Sequence, residues 1–189
     1  MRTIQPAVLL PALLLIVSAF LTACAPDVYR ARVEASLGED GFEPTAYRIE
    51  RGQQDIDPSG HDFRRHAQAL AAELDRRGFV QAAGPELAHI TILLRFGLVG
   101  EKVPHLGRES DHLFVLDVEA LDAIDLRMGR PRQTVWKITA TAHGHLDQRH
   151  VVFKALLAAA APYLGQSGAW DVRVHREPAS GAFELFPAR

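Results

Sequence analysis

His89-Ile90-Thr91-Ile92-Leu93-Leu94-Arg95-Phe96 places an apolar side chain at every second position: Ile90, Ile92, Leu94 and Phe96. A period of two lines up one face of a β-strand, because successive side chains alternate across a sheet. Two later runs repeat the pattern. From Leu113 to Leu121, Phe114, Leu116, Val118 and Ala120 share a face, with Asp117 and Glu119 opposite. From Val135 to Ala142, Trp136, Ile138, Ala140 and Ala142 point one way, and Thr139 and Thr141 point the other. Met128-Gly129-Arg130-Pro131 separates these two runs, which predicts an antiparallel hairpin with a long connection. The polar stretch 97–112, with Gly97, Gly100, Pro104 and Gly107, reads as a loop of a length that is often functional.

Working outward, residues 28–35 alternate Tyr29, Ala31, Val33 and Ala35 against charged neighbours and predict a first strand. Gly38-Glu39-Asp40-Gly41 marks a turn, and residues 45–50 predict a second strand with Tyr47 and Ile49 on one face. Ser59-Gly60-His61-Asp62 has the spacing of a capping box, with Asp in place of Glu. The helix then expected over 62–77 carries Phe63, Ala67, Leu70, Ala71 and Leu74 on one stripe. Arg76 and Arg77 suit the negative end of its dipole. Gly78 can take the left-handed cap, with Phe79 packing back on Leu74.

Residues 79–82 predict at most a brief extension. On the C-terminal side, Asp147 is placed to cap a mostly buried helix over 148–164. Pro162 weakens the last turn of that helix and Gly165 ends it. Trp170, Val172 and Val174 alternate in a last strand, and Phe183, Leu185 and Phe186 are expected to close over the sheet. The order β-β-α-β-β-β-α-β predicts an α+β fold. More finely, it predicts a two-layer sandwich, a mainly antiparallel sheet with two helices packed on one face. There is no internal repeat and no low-complexity segment.

The N-terminal end carries a different signal. Arg2 precedes an apolar run from Ala7 to Leu21, broken by Pro11 and leading to Leu21-Thr22-Ala23-Cys24. The run is short against the roughly 20 apolar residues of a spanning helix, and its charged start and small-residue exit are those of a secretory signal peptide. Leu-Thr-Ala-Cys at that exit resembles the lipobox of bacterial lipoproteins. The resemblance implies that the Cys24 thiol receives a diacylglyceryl group, that residues 1–23 are removed and that the new amino terminus is acylated. Two or three acyl chains exceed the single chain that holds a protein only reversibly. An ordinary secretory signal or an unmodified cysteine is the plainer alternative. Cys24 is the sole cysteine, so lipidation leaves none for a disulfide. Ala25, rather than Asp, follows the cysteine, which by resemblance to Gram-negative lipoproteins favours the outer membrane, facing the periplasm.

Removing residues 1–23 from 189 leaves 166, a length that fits a lipidated tether at 24–27 and a single α+β domain at 28–189. The composition is that of a foldable protein, 48% hydrophobic and 23% charged, with a mean hydropathy of −0.02. A net charge of −2, with both signs interspersed, gives no basic stripe for nucleic acid.

These features together are similar to the uncharacterised bacterial lipoproteins grouped as domain of unknown function 4136. The resemblance spans roughly residues 28–176. It rests on the lipobox, Ala46-Tyr47-Arg48-Ile49, the helix ending in Arg77-Gly78-Phe79, the strand at 88–97, Val135-Trp136 and Ala160-Ala161-Pro162-Tyr163-Leu164-Gly165. The family's usual acidic residue before the third strand is replaced here by Leu87-Ala88-His89. The resemblance implies an envelope lipoprotein with no established enzymatic activity. Its layout is also like that of periplasmic modules that bind other envelope proteins, although a shared fold is a weak warrant for function.

Sequence chemistry offers few catalytic candidates. His143 and His145, near His150 and Asp147, would share a polar strand face as metal ligands can, but no second ligand pair stands at a diagnostic spacing. Asp117 and Glu119, about 7 Å apart along a strand, have a separation compatible with glycoside hydrolysis, and equally with an ordinary wet face. Ser110-Asp111-His112 has the residue types of a triad, but adjacent side chains point apart and no nucleophile elbow accompanies them. Glycine-rich phosphate loops are absent, which leaves a nucleotide without support. Arg64, Arg65, Arg76 and Arg77 make one helix side locally basic, read as a solvated face or a contact for anionic headgroups.

The expectation is therefore a membrane-tethered, non-catalytic binding or structural module needing no cofactor, with another envelope protein as a candidate partner. Its surface would be the open sheet face or the loop 97–112. The alternative is an envelope hydrolase or metal-binding protein using His143/His145 or Asp117/Glu119. A third option, carriage of a small ligand or lipid, needs an apolar pocket between helices and sheet, where a filled core is expected instead.

Overall fold

The computed structural model describes residues 27–39, 41–52, 61–99 and 112–187. Residues 1–23, Cys24, Ser59, Gly60, Ser110 and Asp111, with the expectations placed on them, lie outside the described residues.

The described strands are β1 (Asp27–Leu37), β2 (Ala46–Arg51), β3 (Val80–Gln81), β4 (Ile90–Val99), β5 (His112–Asp122), β6 (Thr134–Gly144), β7 (Gly168–Arg176) and β8 (Phe183–Pro187). The α-helices are α1 (His61–Asp75), α2 (Ala123–Arg127) and α3 (Arg149–Ala160). All eight strands join one sheet in the order β3-β2-β4-β5-β6-β1-β7-β8. The fold is α+β, as the periodicity predicts, and the sheet is mixed. β2 runs parallel to both β3 and β4, and the other pairs are antiparallel.

The apolar alternation sets the register. Leu94 pairs with Val118, Val118 with Ile138, and Ile138 with Ala35, so apolar residues of four strands fall in a row on one face. Leu70 and Leu74 of α1 and Phe153 and Leu156 of α3 belong to a single buried cluster with the sheet. α3 lies against β5, β6, β1, β7 and β8, whereas α1 reaches β2, β3 and α3.

The end of α1 follows its sequence signal. Gly78 has φ 86°, Phe79 N donates to Leu74 O at 3.2 Å, and Gly78 N donates to Asp75 O at 3.0 Å. This pair of bonds closes a Schellman cap, and Phe79 is buried beside Leu74 in the core.

Three elements extend the expected order. β3 pairs with only two residues of β2, so it is too short to show a period. α2 follows β5 directly, and the Asp122 carboxylate caps it by accepting from Ile124 N at 2.7 Å and Asp125 N at 2.8 Å. The tail, expected to close over the sheet, instead adds β8 to its edge beside β7. Asp147 does not cap α3: it lies within a 3-10 turn, Leu146–Gln148, and α3 starts with no side-chain cap. α3 also ends earlier, at Ala160, because the chain tightens into a 3-10 turn over Ala161–Tyr163, with Pro162 inside it.

Candidate functional site

On the face of the sheet opposite the core, the central strands carry a connected set of charges. Arg95 on β4 pairs in register with Asp117 on β5, which pairs with Thr139 on β6. Arg95 Nε donates to Asp117 Oδ2 at 2.7 Å, and its Nη2 lies 2.9 Å from Glu119 Oε2. The second Asp117 oxygen accepts from Thr139 at 2.8 Å and faces Lys137 Nζ at 3.5 Å. Thr134 donates to the second Glu119 oxygen at 3.0 Å.

Every oxygen of this carboxylate pair therefore has a donor or cation beside it. Asp117 and Glu119 are only 13% and 20% exposed in their side chains. At that depth an unpaired carboxylate is costly, and Arg95 spanning both offsets the cost. Gly52 makes room for this arrangement, since a Cβ there would fall 2.3 Å from Arg95 Cγ. Such an arrangement holds charge in place.

The histidines are placed differently. His143 is exposed near the end of β6, and His145 follows in the next turn. Both border a shallow hollow with Val28, Arg30 and Gln148. His150 is exposed in the first turn of α3. Among the described residues no three His, Cys, Asp or Glu side chains converge as a metal site would require. The expected basic side of α1 is divided. Arg76 pairs with Glu73 at 2.8 Å, and Arg77 reaches away to donate to the Ala161 carbonyl at the end of α3. Arg64 and Arg65 are exposed.

The structure also contains a feature that the sequence reading missed. Between α1, the start of α3, the end of β4 and the start of β5 lies a cleft of about 280 Å³. Its walls include Phe63, His66, Phe96, Leu98, Phe114 and Leu146. Asp62 and Arg149, 2.6 Å apart, close one side of it. The helix–sheet layer expected to be completely filled is thus open at this end.

His66 stacks on Phe153 and meets Phe96 edge-on, with centroids 3.8 and 5.0 Å away. Burial lowers its pKa to about 4, with Arg65, Arg149 and His150 adding to the effect and Asp62 opposing it. The signal was present in the sequence. His66 lies three residues after Phe63 and four before Leu70, on the apolar stripe of the helix.

No protein-family model matches the chain, and no curated protein matches it. Among solved structures it is similar to the PelC dodecamer from Paraburkholderia phytofirmans, at 16% identity and a TM-score of 0.44, over 73% of this chain and 99% of that one. It is also similar to a PDZ domain protein from Parabacteroides distasonis ATCC 8503, at 12% identity and a TM-score of 0.48. That match covers 85% of this chain and 42% of the other. At these values the likenesses carry no argument about function or assembly. Among the described residues no helix is long and apolar enough to cross a membrane.

Proposed function

We propose that this chain is a lipid-anchored, periplasm-facing lipoprotein of the bacterial envelope, held at the outer membrane through Cys24. In this reading it is a non-catalytic binding or structural module, allied to the lipoproteins of domain of unknown function 4136. Its architecture is a two-layer sandwich, with α1 and α3 over one face and the polar face left open to a partner. One observation carries the preference for a module over a hydrolase. Asp117 and Glu119, the carboxylate pair of the hydrolase alternative, are bridged by Arg95 and saturated by Lys137, Thr139 and Thr134. The anchor rests on Leu21-Thr22-Ala23-Cys24 at the exit of the apolar run.

Metabolic labelling with palmitate tests the anchor. The expected result is label on the wild-type chain and none on Cys24→Ser, with the variant accumulating as unprocessed or mislocalised protein. Normal cleavage and membrane retention of Cys24→Ser would overturn the assignment. Crosslinking in intact cells tests the module, and repeated recovery of this chain without any partner would argue against it.

A further inference from the structure

We infer that the end of the sheet where β1 begins rests against the bilayer, with Val28, Leu98, Val99 and Leu146 in the headgroup layer and the His66 cleft beside it. This inference rests on the anchor reading above and adds an orientation to it.

The chain length between anchor and fold sets the first constraint. β1 begins at Asp27, so three Cα–Cα steps separate it from Cys24. Three steps reach at most about 11 Å. The layer between hydrocarbon and water is about 5–8 Å deep on each side of a bilayer. A lipidated Cys24 therefore holds Asp27 at the membrane surface and leaves the domain little room to move away.

The second constraint is what lies beside Asp27. Sheet register carries the same level across the strands. Ala31 near the start of β1 pairs with Ala142 near the end of β6, Leu113 pairs with both His143 and Val99, and His112 pairs with Gly144. The start of β1 thus shares its end of the sheet with the end of β4, the start of β5 and the end of β6. Val28, Leu98, Val99 and Leu146 are between 47% and 48% exposed there. Leu98 and Leu146 also line the cleft, so this apolar surface continues into it. Arg30 is an exposed cation at the same end, suited to anionic headgroups.

The molecule has another exposed apolar group, Leu87, Ile124 and Met128, where β4 begins and β5 ends. With β1 upright, the three Cα–Cα steps from Cys24 to Asp27 are too short to bring the opposite end of these ten- and eleven-residue strands to the surface. It serves as an internal control.

Lipidation occupies the native thiol, so a new cysteine can be spin-labelled selectively in the full-length lipidated protein. Leu98→Cys, Leu146→Cys, Leu87→Cys and Met128→Cys would be compared on vesicles of phosphatidylethanolamine and phosphatidylglycerol. Collision with oxygen and with a water-soluble nickel chelate reads the depth of each label. Labels at 98 and 146 are expected at the headgroup boundary or up to ~5–10 Å within it, and those at 87 and 128 in water. Acylated protein with all four labels in water, or with 87 and 128 the deeper pair, would overturn the orientation and leave the anchor standing. Protein that takes up no acyl group would overturn both.

Discussion

His66 of α1 lies flat on Phe153 of α3, with ring centroids 3.8 Å apart and planes 19° from parallel. The stack joins the two long helices at the inner wall of the cleft. An imidazole in such a position is stable when neutral and costly when charged.

Stability should therefore fall in mild acid. The unfolded chain protonates His66 near 6.5, the folded chain only near 4. Above 6.5 both states are neutral and the group has no effect. As pH falls from 6.5 towards 4, the unfolded state alone binds the proton and stability drops. A shift of this size is worth about 3 kcal/mol for a fully buried group, and partial contact with solvent reduces it to about 1–2 kcal/mol. His66→Phe retains the stack and removes the titration. Urea unfolding should find the variant close to wild type at pH 8 and more stable than wild type at pH 5. Equal pH dependence in the two proteins would show that His66 is not the responsive group.

Arg95 should matter more than an exposed cation. Arg95→Met leaves two mostly buried carboxylates, neighbours along one face of β5, without their shared partner, at a cost of about 2–3 kcal/mol. Adding Asp117→Asn and Glu119→Gln should recover part of that loss, because the three groups act as one unit. Denaturant unfolding of the single, double and triple variants measures the coupling. Strict additivity would show that the crossed ion pairs contribute little.

Gly78→Ala should destabilise the domain by about 1–2 kcal/mol. The nearest contact of an added Cβ would be Pro44, at 3.6 Å, so the cost comes from φ 86° and not from crowding. Gly78→Asn, which tolerates the left-handed region better, should lose less in thermal unfolding. A loss in Gly78→Asn equal to that in Gly78→Ala would contradict this account.

Asp122→Ala removes both bonds that start α2 and should cost about 1 kcal/mol. Because Ala123 N also donates to His89 O, hydrogen exchange is expected to accelerate at Ile124 and Asp125 while Ala123 remains protected. Unchanged exchange at Ile124 and Asp125 would remove the capping role.

Much of the fold could be read from side-chain periodicity. Ile90, Ile92, Leu94 and Phe96 alternate because β4 has one apolar and one wet face, and the same holds for β5 and β6. Elements without a period were harder to find. β3 has two residues, α2 has five, and β8 has five with Phe186 exposed. Asp122 was the one local sign of α2, a cap residue that stood unrecognised at the end of a strand.

The candidate site divides along the same line. Asp117 and Glu119 were visible as a pair on a shared face, since spacing along one strand is a local property. Their pairing with Arg95 was not visible, because it depends on β4 and β5 lying in register, more than twenty residues apart in sequence. The same is true of His66 and Phe153, which stack although they lie in different helices, more than eighty residues apart in sequence. The amino-acid order alone determined the alternating strands, the Gly78 cap and the lipobox-like Cys24, each of which depends on near neighbours. Tertiary structure alone decided that β2 runs parallel to β4, that the acidic pair is neutralised and that a cleft opens beside His66. Those outcomes come from contacts between distant segments, whose register and packing no short stretch of the chain encodes.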